Sequence, residues 1–162
     1  MTVATRSPKA PAAMPAAAAP PRGCSSLKVR RLSRRISQHF DRIVAESGLK
    51  TTQYSLLCHV CDLGPIRPGE LARAMDLDAS TLTRNLQPLI AAGWVAIGAG
   101  DDERSRAVVA TEAGRAKRTD AKRAWKRAQL AFNDRLGSEA VARLHAVVDE
   151  CIALLDEADA AP

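Results

Sequence analysis

The sequence predicts a mainly α-helical domain with one small β-hairpin, a pair of short helices ahead of the hairpin and two long helices behind it. Three observations lead there. Apolar residues recur three and four apart over most of the 162 residues, while only two short runs have strand character. Hydrophobic residues make up 46% of the chain and aromatics only 3%, so the core must come from Leu, Val, Ile and Ala, which suits helix-on-helix packing. Pro68 and Asp78 each stand where a short helix would begin, about ten residues apart, which is close spacing for two consecutive helices.

Residues 1–23 are rich in Ala and Pro and cannot bury enough side chain to offset their ordering entropy, so a disordered tail is expected there. A domain is expected over 24–160. Its first helix falls at 27–46, where Val29, Leu32, Ile36, Phe40, Ile43 and Val44 form a stripe at helical spacing and Arg30, Arg31, Arg34 and Arg35 lie mostly off it. A second helix falls at 51–61, with Tyr54, Leu57, Cys58 and Cys61 three and four apart, and Gly64-Pro65 ends it.

The segment 67–92 reads as a helix-turn-helix. Pro68 suits a first helical turn because the amide it lacks would be unpaired there. Leu71, Ala72 and Met75 give a short apolar face, and Asp76-Leu77 makes a tight connection. Asp78 is then placed to cap a second helix by accepting from amides near Ser80 and Thr81. That helix buries Leu82, Leu86, Leu89 and Ile90 and turns Ser80, Thr81, Thr83, Arg84 and Gln87 outward, as short polar and guanidinium groups able to reach base edges and phosphates. Pro88 is expected to kink it.

Two apolar runs, 94–97 and 107–111, flank a polar Gly-rich stretch and read as a hairpin, the wing of a winged helix-turn-helix over about 94–111. Arg104 and Arg106 are placed to enter a minor groove, with Asp102 able to hold Arg104 extended. A long basic helix follows at 112–136, and after Gly137-Ser138 a last helix carries Val141, Leu144, Val148, Cys151 and Leu155 at alternating spacings of three and four. Two heptads are too few to stand alone, so this seam is expected inside a bundle or a dimer.

Charge narrows the partner. The net charge is +6, but residues 138–162 hold six acids and one base, leaving 23 bases and 12 acids, a net of +11, on the rest. That body favours a polyanion. No apolar stretch approaches the length of a membrane span and no signal peptide is evident, so a cytoplasmic protein with reduced thiols and no membrane partner is expected.

The linked motifs resemble the MarR family of bacterial regulators from about residue 27 onward: Pro68-Gly69-Glu70-Leu71-Ala72, the run from Leu77 to Arg84, Ala92-Gly93-Trp94, a D-x-R wing at Asp102 and Arg104, and a T-x-x-G stretch at Thr111 and Gly114. The resemblance implies a triangular homodimer in which the first and last helices, about 27–46 and 112–158, dimerise and two winged lobes read a palindromic operator in double-stranded DNA, usually as a repressor. Arg67 stands where many relatives put a Ser or Thr cap, and it is read here as a phosphate contact; Ala110 stands where Leu is common.

For the signal, relatives commonly bind small aromatic or phenolic acids in a cleft between the dimerisation helices and the winged lobe. Arg31, Arg35, Tyr54 and Cys58 are the candidates to hold such a ligand, although the arginines of the first helix also suit a solvated face or a partner's acidic tail. The branch that senses organic hydroperoxides carries its cysteine near Cys24, on the position of Ser26 here, so a thiol-based repressor using Cys24 is the alternative. Cys58-His59-Val60-Cys61 sits inside a helix, away from the strand-to-helix setting of a redox enzyme, and reads as core packing. No metal site, cofactor or catalytic group is expected. A non-specific basic architectural protein remains the other DNA-binding reading.

Overall fold

The computed structural model describes residues 22–99 and 106–160. In chain order these are α1 (Ser25–Val44), a 3-10 turn (Ala45–Ser47), α2 (Thr51–Leu63), α3 (Pro68–Ala74), α4 (Ala79–Ala91), β1 (Val95–Ala99), β2 (Arg106–Ala110), α5 (Glu112–Leu136) and α6 (Ser138–Ala160). The fold class is the expected one. The tail at 1–21 and the wing tip at 100–105, including Asp102 and Arg104, lie outside the described residues.

The core has two regions joined through α5. In the first, α2 supplies Leu56, Leu57 and Val60, which meet Leu71, Leu82 and Leu89 of the short helices and Val95 and Val108 of the hairpin. Each such side chain contributes roughly 1.5–3 kcal/mol on leaving water. In the second, α1 packs along α5, and Phe40, His39 and Phe132 form an aromatic cluster with centroids 5.6–5.7 Å apart. The His39 ring nitrogen Nε2 lies 3.1 Å from the Ala128 carbonyl oxygen. Between the regions, Tyr54 of α2 faces Trp125 of α5 at 6.3 Å.

The helix ends follow local chemistry. Gly48 turns the chain after α1 with φ +74°, a conformation that suits a residue lacking Cβ. The first amide of α2 donates to Asp41 Oδ1 at 2.8 Å, so a residue of α1 caps α2 from ten positions away. Pro68 opens α3 as expected. Leu77 N returns to Ala72 O at 2.9 Å, and Asp76 takes φ +50° to make the turn tight enough. Asp78 caps α4: its carboxylate accepts from Thr81 N at 2.8 Å, Ser80 Oγ at 2.6 Å and Thr81 Oγ1 at 2.7 Å. These three donors hold its pKa well below the usual carboxylate range. Pro88 lies inside α4, and the helix runs through it to Ala91.

β1 and β2 pair antiparallel with Val95 opposite Ala110 and Ala99 opposite Arg106. A third segment joins them. Ile66 N donates to Val108 O at 3.1 Å and Val108 N to Ile66 O at 2.8 Å, tying the hairpin to the connection between α2 and α3. A single bridging residue carries no strand periodicity, so Ile66 has no strand signature in the sequence.

The hairpin and α5 meet at a tight joint. Thr111 Oγ1 donates to Gly93 O at 2.7 Å and accepts from Gly114 N at 3.0 Å, while Thr111 N donates to Trp94 O at 3.1 Å. A Cβ on Gly114 would stand 1.9 Å from Trp94 O, so only glycine fits there. The T-x-x-G spacing is therefore a helix cap followed by a required close approach.

Gly114→Ala is expected to destabilise the fold by about 3 kcal/mol, read as a fall in melting temperature of roughly 10 °C by circular dichroism; an unchanged melting temperature would show that Trp94 can move away. The Asp78 cap stabilises the fold fully above the ordinary carboxylate pKa of 3.8 and is lost as the pH falls below it. Asp78→Asn keeps an acceptor for the Thr81 amide but has no charge to titrate. The variant should therefore melt lower at pH 7 and show a flatter loss of stability than wild type below about pH 4.

Candidate nucleic-acid interface

α4 buries Leu82, Leu86 and Leu89, which fixes its opposite face outward. On that face Thr83, Arg84 and Gln87 are exposed. Arg84 and Gln87 are the long side chains of the set, with donors and acceptors suited to base edges. Thr83 Oγ1 donates to Ala79 O at 2.7 Å, one turn back.

Ser80 and Thr81 differ from the simple expectation. Both hydroxyl protons point at Asp78, so these side chains offer outward only their lone pairs. They are acceptors toward a nucleic acid as long as the cap holds. Arg67 caps α3 by its backbone: its carbonyl accepts from Glu70 N and Leu71 N at 3.0 Å, and its side chain is exposed. Arg106 is exposed at the loop end of β2, opposite Ala99. Thus α4 and the base of the wing share one end of the molecule through Val95, Val108 and Leu89.

The basic residues of α5 divide into two groups. Arg115 Nη1 donates to Ala110 O at 2.9 Å and Lys117 Nζ stands 5.0 Å from the Trp94 ring centroid, so both hold the hairpin to α5. Arg118 pairs with Asp62 of α2 at 2.7 Å, and Arg127 pairs with Glu46. Lys122, Arg123 and Lys126 remain exposed. Charge counting alone cannot separate these groups, because the partners are distant in sequence.

The four candidates for a ligand site do not converge. Arg35 lines a cleft of about 180 Å³ between α1 and the end of α5, with Arg42, His39, Phe132 and Arg135. Tyr54 is buried against Trp125, and Cys58 is half-buried beside it. Burial and the neighbouring Cys58 push the Tyr54 hydroxyl up to about 12, so it stays protonated and can only act as a neutral donor or acceptor. Arg31 is exposed on α1 and does not line this cleft. A second, larger cleft of about 380 Å³ lies between α1, α5 and α6 and is lined by Phe40, Phe132, Leu144, Gln129, His145 and neighbours. None of its lining residues was among the four.

Cys24 is exposed at the N-cap of α1, where its carbonyl accepts from Lys28 N at 3.1 Å. Cys58 and Cys61 are half-buried against the core, in line with a packing role, and burial pushes the Cys61 thiol up. Among the described residues no group of three or more His, Cys, Asp or Glu is arranged to hold a metal. No described helix is long and apolar enough to cross a membrane.

Comparison with known proteins bears on this geometry. Residues 47–105 match the model of the MarR family. The uncharacterised HTH-type transcriptional regulator YwoH of Bacillus subtilis strain 168 is 28% identical over 85 residues, which are 52% of this chain. That match spans 62% of the length of YwoH. The M. tuberculosis transcriptional regulator MosR, solved in complex with DNA, is 30% identical, with 80% of this chain and 98% of MosR covered and a TM-score of 0.63. A probable transcriptional regulator from Pseudomonas aeruginosa, 23% identical, shares the fold with a TM-score of 0.71 over 78% of this chain and 96% of its own. With the winged architecture, the T-x-x-G joint and these matches together, the chain belongs to the MarR family.

Proposed function

We propose that this chain is a sequence-specific, DNA-binding transcriptional regulator of the cytoplasm, built on a domain over 24–160. It binds a palindromic operator in double-stranded DNA as a homodimer, represses, and is released by a small aromatic or phenolic ligand. The observation that carries the reading is the exposed Arg84 and Gln87 on a firmly capped α4 whose other face is locked into the core beside the hairpin. A helix held this way presents its polar face at a fixed angle, as base reading requires. The +11 body supplies the general attraction to phosphates.

The homodimer is supported by apolar side chains left exposed on the terminal helices: Val29 and Leu27 on α1, and Val147, Ile152, Leu154 and Leu155 on α6. The ligand is supported by the cleft of about 380 Å³ beside Phe40 and Phe132, which falls in the size range of small-molecule sites. Its lining is mainly apolar with a few polar groups, among them Gln129 and His145.

Binding to the chain's own upstream intergenic DNA is measured by fluorescence anisotropy against random DNA at matched salt. Arg84→Ala is expected to lose about 1–3 kcal/mol of discrimination. Arg106→Ala is expected to weaken all sequences alike and to reduce the salt slope by about one. Equal wild-type affinity for operator and random DNA would favour the architectural reading instead.

A further inference from the structure

Every hydroxyl of α4 has its proton already committed. Ser80 Oγ lies 2.6 Å from Asp78 Oδ1, and Thr81 Oγ1 lies 2.7 Å from Asp78 Oδ2. A carboxylate has no proton to give at neutral pH, so both hydroxyls are the donors. Thr83 Oγ1 donates to Ala79 O at 2.7 Å, one turn back. The two bonds to Asp78 belong to the strong, charge-assisted class. Turning one of those protons outward would take a donor from a charged acceptor and return a single bond.

Ser80, Thr83, Arg84 and Gln87 fall within about 100° of the helix circumference, and all four are exposed. Thr81 stands about 60° beyond them and is half-buried, so it flanks that face rather than lying on it.

A hydroxyl with only lone pairs to offer has few partners on a duplex. Phosphate oxygens are acceptors too, and the Asp78 charge beside Ser80 has the same sign as theirs. In a major groove, guanine N7 and O6, adenine N7 and thymine O4 are likewise acceptors. What remains is the amino group at adenine N6 or cytosine N4. Ser and Thr can in general serve either kind of edge, because their protons turn. On α4 the protons point inward.

We propose that Ser80 and Thr83 select, in each half of the operator, a base carrying a major-groove amino group, adenine or cytosine, and exclude thymine and guanine from that position. Asp78 is the positioning residue that fixes this polarity at Ser80. The selection rests on the DNA-reading role proposed for α4 above. Arg84, on the same face, offers donors alone, so an acceptor-bearing base is read beside the amino-bearing one. One hydrogen of each amino group is used by the paired base, and only the other reaches the groove. A methyl in its place removes the donor, so N6-methyladenine or N4-methylcytosine at this position also blocks binding.

The test uses the full chain and a duplex that it selects from a random-sequence library, with affinity read by fluorescence anisotropy at matched salt. Each adenine of that duplex is replaced in turn by unsubstituted purine, and each cytosine by pyrimidin-2-one. Both changes remove the amino group and add no bulk. About one or two positions per half-site should lose affinity on the order of tenfold. Ser80→Ala and Thr83→Val should each bind more weakly, and at its own position each should lose nothing further on removal of the amino group. Asp78→Ala frees the Ser80 proton. This variant should accept thymine or guanine where wild type rejects them, a change of preference that a loosened helix alone would not produce. Circular dichroism checks folding; if Asp78→Ala does not fold, the Ser80→Ala and Thr83→Val series decides.

No loss at any amino group, or the same loss in wild type and in both hydroxyl variants, overturns the proposal and leaves sequence-specific binding intact. So does a hydroxyl variant that relaxes the preference for a thymine or a guanine instead. A chain that selects no sequence from the library removes the DNA-reading role itself, and this proposal with it.

Discussion

The Thr111 hydroxyl sits where three parts of the molecule meet. It donates to the carbonyl of Gly93, just past the end of α4, and it caps the first turn of α5. The backbone of the same residue is bonded to Trp94 at the start of the hairpin. The angle of α4 relative to the wing, and of both relative to the long helix, therefore rests on one side chain and on the absence of a Cβ three residues later. Arg115 and Lys117 brace the same joint from the next turn, one on a backbone carbonyl and one on an indole face. Bases that composition counts toward a polyanion partner are in this case internal fasteners.

Electrostatics act at two ranges in this fold. At short range Asp78 gathers three donors and fixes the entry of α4. At longer range Asp62 and Glu46 hold α2 and the turn after α1 to α5 through Arg118 and Arg127. Exposed pairs such as these contribute little stability each. Their effect is on register, since each fixes where one helix lies along another.

Much of this was legible from the residues. Pro68, Asp78 and Gly137 mark helix boundaries by local chemistry, and α5 and α6 occupy the span their spacing implies. The outward set on α4 followed from the buried stripe of Leu82, Leu86 and Leu89. What was not legible depends on contacts between distant segments. The Ile66–Val108 bridge, the Asp41 cap on Thr51 and the partners of Arg118 and Arg127 have no local signature. The ligand candidates failed to gather for the same reason. Arg35, Tyr54 and Cys58 lie on two helices that each have several faces, and spacing along one helix does not say which neighbour a face will meet. The hydroxyls of Ser80 and Thr81 show a subtler limit: their outward position was clear, but the direction of their protons was set by Asp78.

α5 runs unbroken for 25 residues, from the joint at Thr111 to the cleft that Arg135 lines with Arg35 and Arg42 of α1. Such a helix is a rod of about 37 Å. Rotating it by 5° about one end would carry the other through roughly 3 Å, close to the rise of one base pair along a duplex of about 3.4 Å. A side-chain rearrangement too small to alter any element of the fold is thus geared up, at the far end, to a displacement of that size.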